Sequence, residues 1–283
     1  MYQEHAATLP TGVTLFTAVS PGPADQVLLV IHGGPDWDHT YLRDPLSGLT
    51  GDFRLVLPDL RGCGRSTTGL ADGQYTPDAV VGDLLALLDH LGLARAAVLG
   101  FSYGGLIAQR LLAAAPERVT RLIVASSSVL PVPAGAFADR PERAERVAAE
   151  AAVWADTTLS GPALTRAAAV ARAPADVWRP EARPGYLRRL SLVHFTAEWL
   201  RPHRAGILPS PRLADPVADL SAAGRPVLLL QGEHDMTFPA FLAGQAASRI
   251  PRASAVVLAD AGHMAHVDDP HGWLGALRRF LAR

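Results

Sequence analysis

Ala96-Ala97-Val98-Leu99-Gly100-Phe101-Ser102-Tyr103-Gly104-Gly105 carries a short apolar run straight into a glycine-flanked serine. Behind it, residues to about Ala115 keep helical spacing, so the serine sits on a strand-to-helix turn. Glycines at 100 and 104 suit a sharp turn after which the helix passes close to its own strand. A serine placed there stands at a helix N-terminus, where free N–H groups and the helix dipole favour developing negative charge. Ser102 is therefore the candidate nucleophile.

The sequence around this stretch repeats the same alternation. Val27–Ile31 is a buried-strand run ending at His32-Gly33-Gly34-Pro35, and Arg54–Leu57 is a second, ending at Pro58-Asp59. Val80, Leu84, Leu87, Leu88 and Leu91 follow helical spacing, with Thr76-Pro77 as N-cap and first-turn proline. Leu122–Ala125 is a fourth strand, and Pro226-Val227-Leu228-Leu229-Leu230 and Ala255-Val256-Val257-Leu258 resume the pattern as strands before a closing amphipathic helix, Trp273 to Leu281. Strands alternating with helices predict an α/β fold: a mostly parallel central sheet with helices on both faces. Residues 131–222 interrupt the alternation with Ala-, Arg- and Pro-rich, largely helical sequence. They are read as a helical lid (cap) inserted into a core formed by residues 1–130 and 223–283.

A serine alkoxide needs a base, and the base needs an orienting acid. Two strand ends downstream supply them, at Gly232-Glu233-His234-Asp235 and at Ala261-Gly262-His263. Asp235 is preferred to Glu233 because the loop needs a few residues to reach the histidine. His263 is preferred to His266 because Gly262 lets the chain turn beside it; His266 is read as surface or lid-facing. The oxyanion hole is expected to combine the N–H of Tyr103 with one from the loop after the first core strand, Gly34 ahead of Gly33. Asp59-Leu60-Arg61-Gly62-Cys63-Gly64-Arg65-Ser66 is read as a structural turn held by charge pairs.

Composition narrows the class further. The 283 residues are 49% hydrophobic and 19% charged, with a net charge of −1, and every Lys-or-Arg position is Arg. No bulk field draws such a chain to nucleic acid or an anionic membrane. The single cysteine, Cys63, excludes intramolecular disulfides and a Cys-rich zinc site. No apolar run approaches the ~20 residues of a membrane span, and the N-terminus lacks a signal-peptide pattern, so a cytoplasmic protein is expected. No metal-spaced cluster or phosphate loop appears, and no cofactor is expected. The partner expected is a small molecule or short peptide; oligomeric state is left open.

With these residues assembled, the chain resembles the α/β-hydrolase superfamily and, within it, the proline iminopeptidase-like branch. His32-Gly33-Gly34-Pro35, Asp59-x-Arg61-Gly62-Cys63-Gly64-Arg65-Ser66 and Gly232-x-x-Asp235 carry the resemblance. It implies a Ser102–Asp235–His263 triad, an oxyanion hole at Gly34 and Tyr103, and cleavage of an N-terminal proline from small peptides without metal or organic cofactor. Tyr103 stands where that branch usually has Trp. Leu192 stands where its lid has a glutamate that holds the substrate's amino group. Glu198 is either a substitute for that carboxylate or, as preferred, a solvated helix-face charge. Leu192, Phe195 and Trp199 fall on one face of an expected helix, as lid-to-body packing or as cover over a substrate; Phe101 is a further substrate-binding candidate beside the nucleophile. The resulting expectation is a serine hydrolase cleaving an amide or ester through an acyl-enzyme. Its alternatives are an esterase, lactonase or cyclase for a specialised metabolite, and a ligand-binding protein with little turnover.

Overall fold

A strand that is apolar at successive positions must be covered on both faces, and the central strands here are. The structure, a computed structural model, describes residues 2–282. Among them an eight-stranded sheet is formed by β1 (Gln3–Thr8), β2 (Thr14–Val19), β3 (Val27–Ile31), β4 (Arg54–Pro58), β5 (Ala96–Phe101), β6 (Val119–Ala125), β7 (Val227–Gly232) and β8 (Ala253–Leu258). Their order is β1-β2-β4-β3-β5-β6-β7-β8. From β4 to β8 all neighbours are parallel, while β1–β2 and β2–β4 pair antiparallel. The N-terminal hairpin is an addition to the strands read from the sequence.

Helices cover both faces. In chain order they are α1 (Thr40–Leu46), α2 (Pro77–His90), α3 (Tyr103–Ala114), α4 (Glu142–Ala155), α5 (Gly161–Asp176), α6 (Arg183–Leu190), α7 (Leu200–Arg204), α8 (Pro216–Ala223), α9 (Phe241–Ala247), α10 (Ala265–Asp268) and α11 (Pro270–Leu281). Leu29, Ile31, Val98 and Val124 pack with Leu84 of α2 and Ile107 and Leu111 of α3. Their neighbours Leu28, Val30, Leu99 and Ile123 face the other layer, with Leu42 and Leu46 of α1 and Trp273, Leu277 and Phe280 of α11. This period-two division is what a parallel sheet buried on both sides requires. Thr76 caps α2 by accepting the Ala79 N–H through its side chain, with Pro77 in the first turn.

The segment between β6 and β7 is helical, as expected, but one detail differs. Residues 191–199 do not continue a helix: α6 ends at Leu190 and α7 starts at Leu200. The backbone is instead pinned by Asp36, whose carboxylate accepts the N–H groups of Trp199 and Leu200 and the Thr196 hydroxyl. Leu192, Phe195 and Trp199 therefore share no helix face.

The Asp59–Ser66 stretch is a cage of ionic and hydrogen bonds. Asp59 Oδ1 lies 2.5 Å from His39 Nδ1, and Oδ2 accepts the Arg65 N–H at 3.0 Å. Burial pushes the Asp59 carboxyl up, but the His39 contacts override it and hold the pKa at about 2. Arg61 forks onto Asp83 at 2.6 and 2.7 Å, both side chains buried. Cys63 is buried, and burial pushes its thiol pKa well up. Among the described residues, no helix is long and apolar enough to cross a membrane.

Candidate active site

Strand β5 ends in a turn that leaves no room for side chains around its serine. Ser102 takes φ 53° and ψ −119°, a left-handed conformation that costs a non-glycine residue strain. Its N–H donates to the Ala125 carbonyl of β6 at 2.9 Å, which anchors the turn to the sheet. A Cβ at Gly100 would overlap the Gly104 backbone, one at Gly104 would overlap the carbonyls of Ile31 and His32, and one at Gly105 would lie 2.5 Å from Ser127 Cβ. The three glycines thus let α3 press against β3, β5 and β6 while Ser102 is thrust outward.

The sheet's C-terminal edge brings two more sequence candidates to this serine. His263, on the loop after β8, places Nε2 3.0 Å from Ser102 Oγ. Its Nδ1 lies 2.8 Å from Asp235 Oδ2, on the loop after β7. An ionised carboxylate only accepts, so Nδ1 carries the proton and Nε2 is left as acceptor for the serine hydroxyl. Asp235 has no freedom to turn away: Oδ2 also accepts from Gln231 Nε2 at 2.6 Å, and Oδ1 accepts the N–H groups of Thr237 at 2.7 Å and Phe238 at 2.9 Å. Gln231, inside β7, had no sequence signal beyond being a polar residue in an apolar strand. Burial presses the His263 pKa down, but Asp235, by charge and hydrogen bond, and Asp176, by charge, outweigh it and hold the pKa above its ordinary value.

Gly33, Gly34 and Tyr103 line the same cavity as Ser102. The Gly33 N–H donates to the Tyr41 hydroxyl at 2.9 Å. Those of Gly34 and Tyr103 donate to no group among the described residues. A Cβ at Gly33 would lie 3.1 Å from Ser102 Cβ, so this loop passes close to the nucleophilic position.

The remaining candidates divide. Phe101 and Trp199 line the cavity. Leu192 is 62% exposed and lies outside it, so neither a glutamate's place nor a packing face is found there. Phe195 packs edge-on against Trp37 at 5.4 Å and does not reach the cavity. Glu198 is not solvated on a helix face: its carboxylate accepts from the Tyr75 hydroxyl and from the Gly69 N–H, tying residues 196–199 to the core. His266 is not at the surface either. It is fully buried against Phe101, Tyr41 and Trp273, and burial holds its pKa well below the ordinary value.

The cavity has a volume of about 700 Å³ and reaches from Ser102 and His263 to the inserted helices. Most of its wall is apolar, with Trp37, Trp199, Leu208 and Met264 among its side chains. One charged cluster interrupts it. Arg172 donates from Nε to Asp176 Oδ1 at 3.0 Å, from one terminal nitrogen to Glu150, and from the other to Thr237 Oγ1 at 2.8 Å. Burial raises the Asp176 pKa above its usual carboxylate range. The i,i+4 spacing of Arg172 and Asp176 was visible in the sequence, but the pairing of Arg172 with Glu150, 22 residues away, was not. Among the described residues, no group of three or more His, Cys, Asp or Glu is arranged to hold a metal ion.

Comparison with known proteins agrees with this architecture. Residues 26–270 match the family described as the alpha/beta hydrolase fold. RutD from Pseudomonas syringae pv. syringae (strain B728a), provisionally named a carbamate hydrolase, is 33% identical over 92% of this chain and 95% of its own. The 30 kDa magnesium-chelatase subunit of Rhodobacter capsulatus is 30% identical over 99% and 95%. Among solved structures, a proline iminopeptidase-related protein of Thermus thermophilus superposes with a TM-score of 0.74 at 27% identity, covering 100% of this chain and 98% of that one. The chain belongs to the α/β-hydrolase family, with proline iminopeptidase-related proteins among its structural relatives.

Proposed function

We propose that this protein is a serine hydrolase that cleaves a small-molecule ester, or a related activated carbonyl, through an acyl-enzyme. The observation that carries this reading is the hydrogen-bonded line Ser102 Oγ–His263 Nε2 and His263 Nδ1–Asp235 Oδ2, at 3.0 and 2.8 Å, beneath a largely apolar cavity. Residues 1–130 and 223–283 act as the core and residues 131–222 as a lid over the cavity. That division is supported by Trp154, Arg172, Asp176 and Trp199 of the insertion lining one cavity with Ser102.

In the first half-reaction, Ser102 Oγ bonds to the substrate's carbonyl carbon while its proton passes to His263 Nε2. The carbonyl oxygen takes the electron pair and is held by the free N–H groups of Gly34 and Tyr103, each donor of this kind being worth about 2.7–4 kcal/mol in the transition state. The tetrahedral centre collapses, the bond to the leaving group breaks, and His263 returns the proton to the departing oxygen or nitrogen. Water then repeats the sequence on the acyl-enzyme: His263 takes its proton, the acyl carbon–Oγ bond breaks, and Ser102 regains its hydrogen. Asp235 fixes the tautomer and stabilises the imidazolium throughout.

Arg172 is the reason for preferring an ester to a peptide with a free amino terminus. Both cavity carboxylates of the lid, Glu150 and Asp176, already share its guanidinium. An aminopeptidase is the second reading, favoured by the same two carboxylates facing the cavity of Ser102. Parallel assays with short p-nitrophenyl esters and prolyl-2-naphthylamide separate the two. Ester turnover without release of naphthylamine is expected; efficient naphthylamine release would favour the aminopeptidase instead.

A further inference from the structure

His263 sits on a short loop whose two flanking N–H groups are held by residues outside the triad. Gly262, on one side, donates its N–H to Asp268 Oδ2 at 2.8 Å. Met264, on the other, donates to the carbonyl oxygen of Asp176 at 2.8 Å. Asp268 reaches further: Oδ2 also accepts the Trp178 N–H at 3.0 Å, Oδ1 accepts the Arg179 N–H at 2.9 Å, and its carbonyl accepts from Arg179 Nη1 at 3.1 Å. The two segments are packed backbone to backbone, for a Cβ on Gly262 would lie 2.7 Å from the Asp176 carbonyl oxygen and 3.0 Å from the Trp178 nitrogen. One buried carboxylate therefore ties the strap of residues 176–179, at the end of α5, to the histidine loop.

We infer that Asp268 is a positioning residue for the proposed reaction, holding His263 in register with Ser102 and Asp235 by clamping its loop to the lid strap. The inference rests on the reading of Ser102 and His263 as nucleophile and base. The strap is on this account a fixed wall of the site, and the lid segment 176–179 does not swing away during turnover. The other groups around His263 are Asp235 on the β7 loop, Asp176 and Arg172 on α5, His266 on α10, the Ser102 hydroxyl, and the rings of Phe101 and Phe238.

Asp268→Asn is a near-isosteric test. Two N–H groups converge on Oδ2 and a third meets Oδ1, so an amide NH₂ faces a donor in either orientation. The measurement is the second-order rate of labelling by a fluorophosphonate, per mole of folded protein and as a function of pH. This reads nucleophile activation without needing the natural substrate. A misplacement near 1 Å can cost on the order of 100-fold, so a fall of at least about tenfold is expected. The acid limb should also move to lower pH as His263 loses its contact with Asp235. A merely structural Asp268 would lower the yield of folded protein and leave rate and limb unchanged, and that result overturns the inference. Should the variant not fold, hydrogen exchange on the wild-type protein decides. The amides of Gly262, Trp178 and Arg179 should exchange as slowly as those of β7, and exchange at the rate of an open loop contradicts the clamp. Labelling of Ser102→Ala at the wild-type rate would sink the nucleophile reading instead, while the exchange result would still report on the clamp.

Discussion

At the scale of single residues, His263 and His266, close neighbours in the chain, take opposite roles because of what their ring nitrogens meet. His263 has a carboxylate on one side and a hydroxyl on the other, whereas both ring nitrogens of His266 are buried without a hydrogen-bond partner among the described residues. The surface or lid-facing place expected of His266 is not the one it occupies, because nothing local in Gly262–Asp268 reveals the aromatic pocket of Tyr41, Phe101 and Trp273. In its proposed role as base His263 must be neutral, so kcat/KM should fall as pH drops through a pKa above the ordinary 6.5 of histidine. Asp176→Asn removes one of the charges that raise it and should move that limb to lower pH in a pH–rate profile. His266 is depressed instead, so the unfolded chain binds a proton that the folded one refuses. Its contribution to stability is complete above the unfolded pKa and is lost as pH falls below it, by at most about 1.4 kcal/mol per pH unit. Relative to wild type, His266→Leu should accordingly look more stable at pH 5 than at pH 8 in urea unfolding; an equal difference at both values would contradict a buried neutral imidazole.

At the scale of elements, the legible parts were those whose local pattern carries their own constraint. β3, β5, β6 and β7 are buried along most or all of their length and each carries a short apolar run, such as Leu122-Ile123-Val124-Ala125 in β6 and Val227-Leu228-Leu229-Leu230 in β7, and α2 announces itself by Thr76-Pro77. β1 is an edge strand with only Ala7 buried, so no apolar run marked it. The segment 191–199 has helical spacing, yet Asp36, more than 150 residues earlier in the chain, takes its N–H groups and breaks the helix. Long-range acceptors of this sort leave no trace in a periodicity. Glycines offer an element-scale test. Gly82→Ala in α2, where a Cβ meets nothing within 4 Å, should stabilise the protein by about 0.5–1 kcal/mol. Gly104→Ala drives a Cβ into the β3 backbone, which cannot yield as a side chain can, and should cost about 3 kcal/mol. Urea midpoints measure both, and similar values for the two would contradict the close approach of α3 to β3.

At the scale of the whole molecule, the chain is similar both to a protein named a carbamate hydrolase and to a magnesium-chelatase subunit, so fold alone does not fix chemistry. The insertion between β6 and β7 was the least legible part of the sequence: α4 and α5 are Ala- and Arg-rich, and the Glu150–Arg172–Asp176 cluster emerges only when they pack. Replacing Arg172 by Gln should leave two carboxylates in the cavity without their shared cation; activity toward neutral p-nitrophenyl esters should fall and binding of small ammonium compounds should rise, as read by inhibition of ester turnover. On the proposed reading, the sheet, its elbow and its two C-terminal loops converge on one nucleophilic oxygen. Mass analysis of the peptides from fluorophosphonate-treated protein tests it most directly. The wild type should carry a single phosphonyl adduct on Ser102, and Ser102→Ala should carry none. An adduct on another residue, or labelling of Ser102→Ala to the wild-type extent, would contradict it.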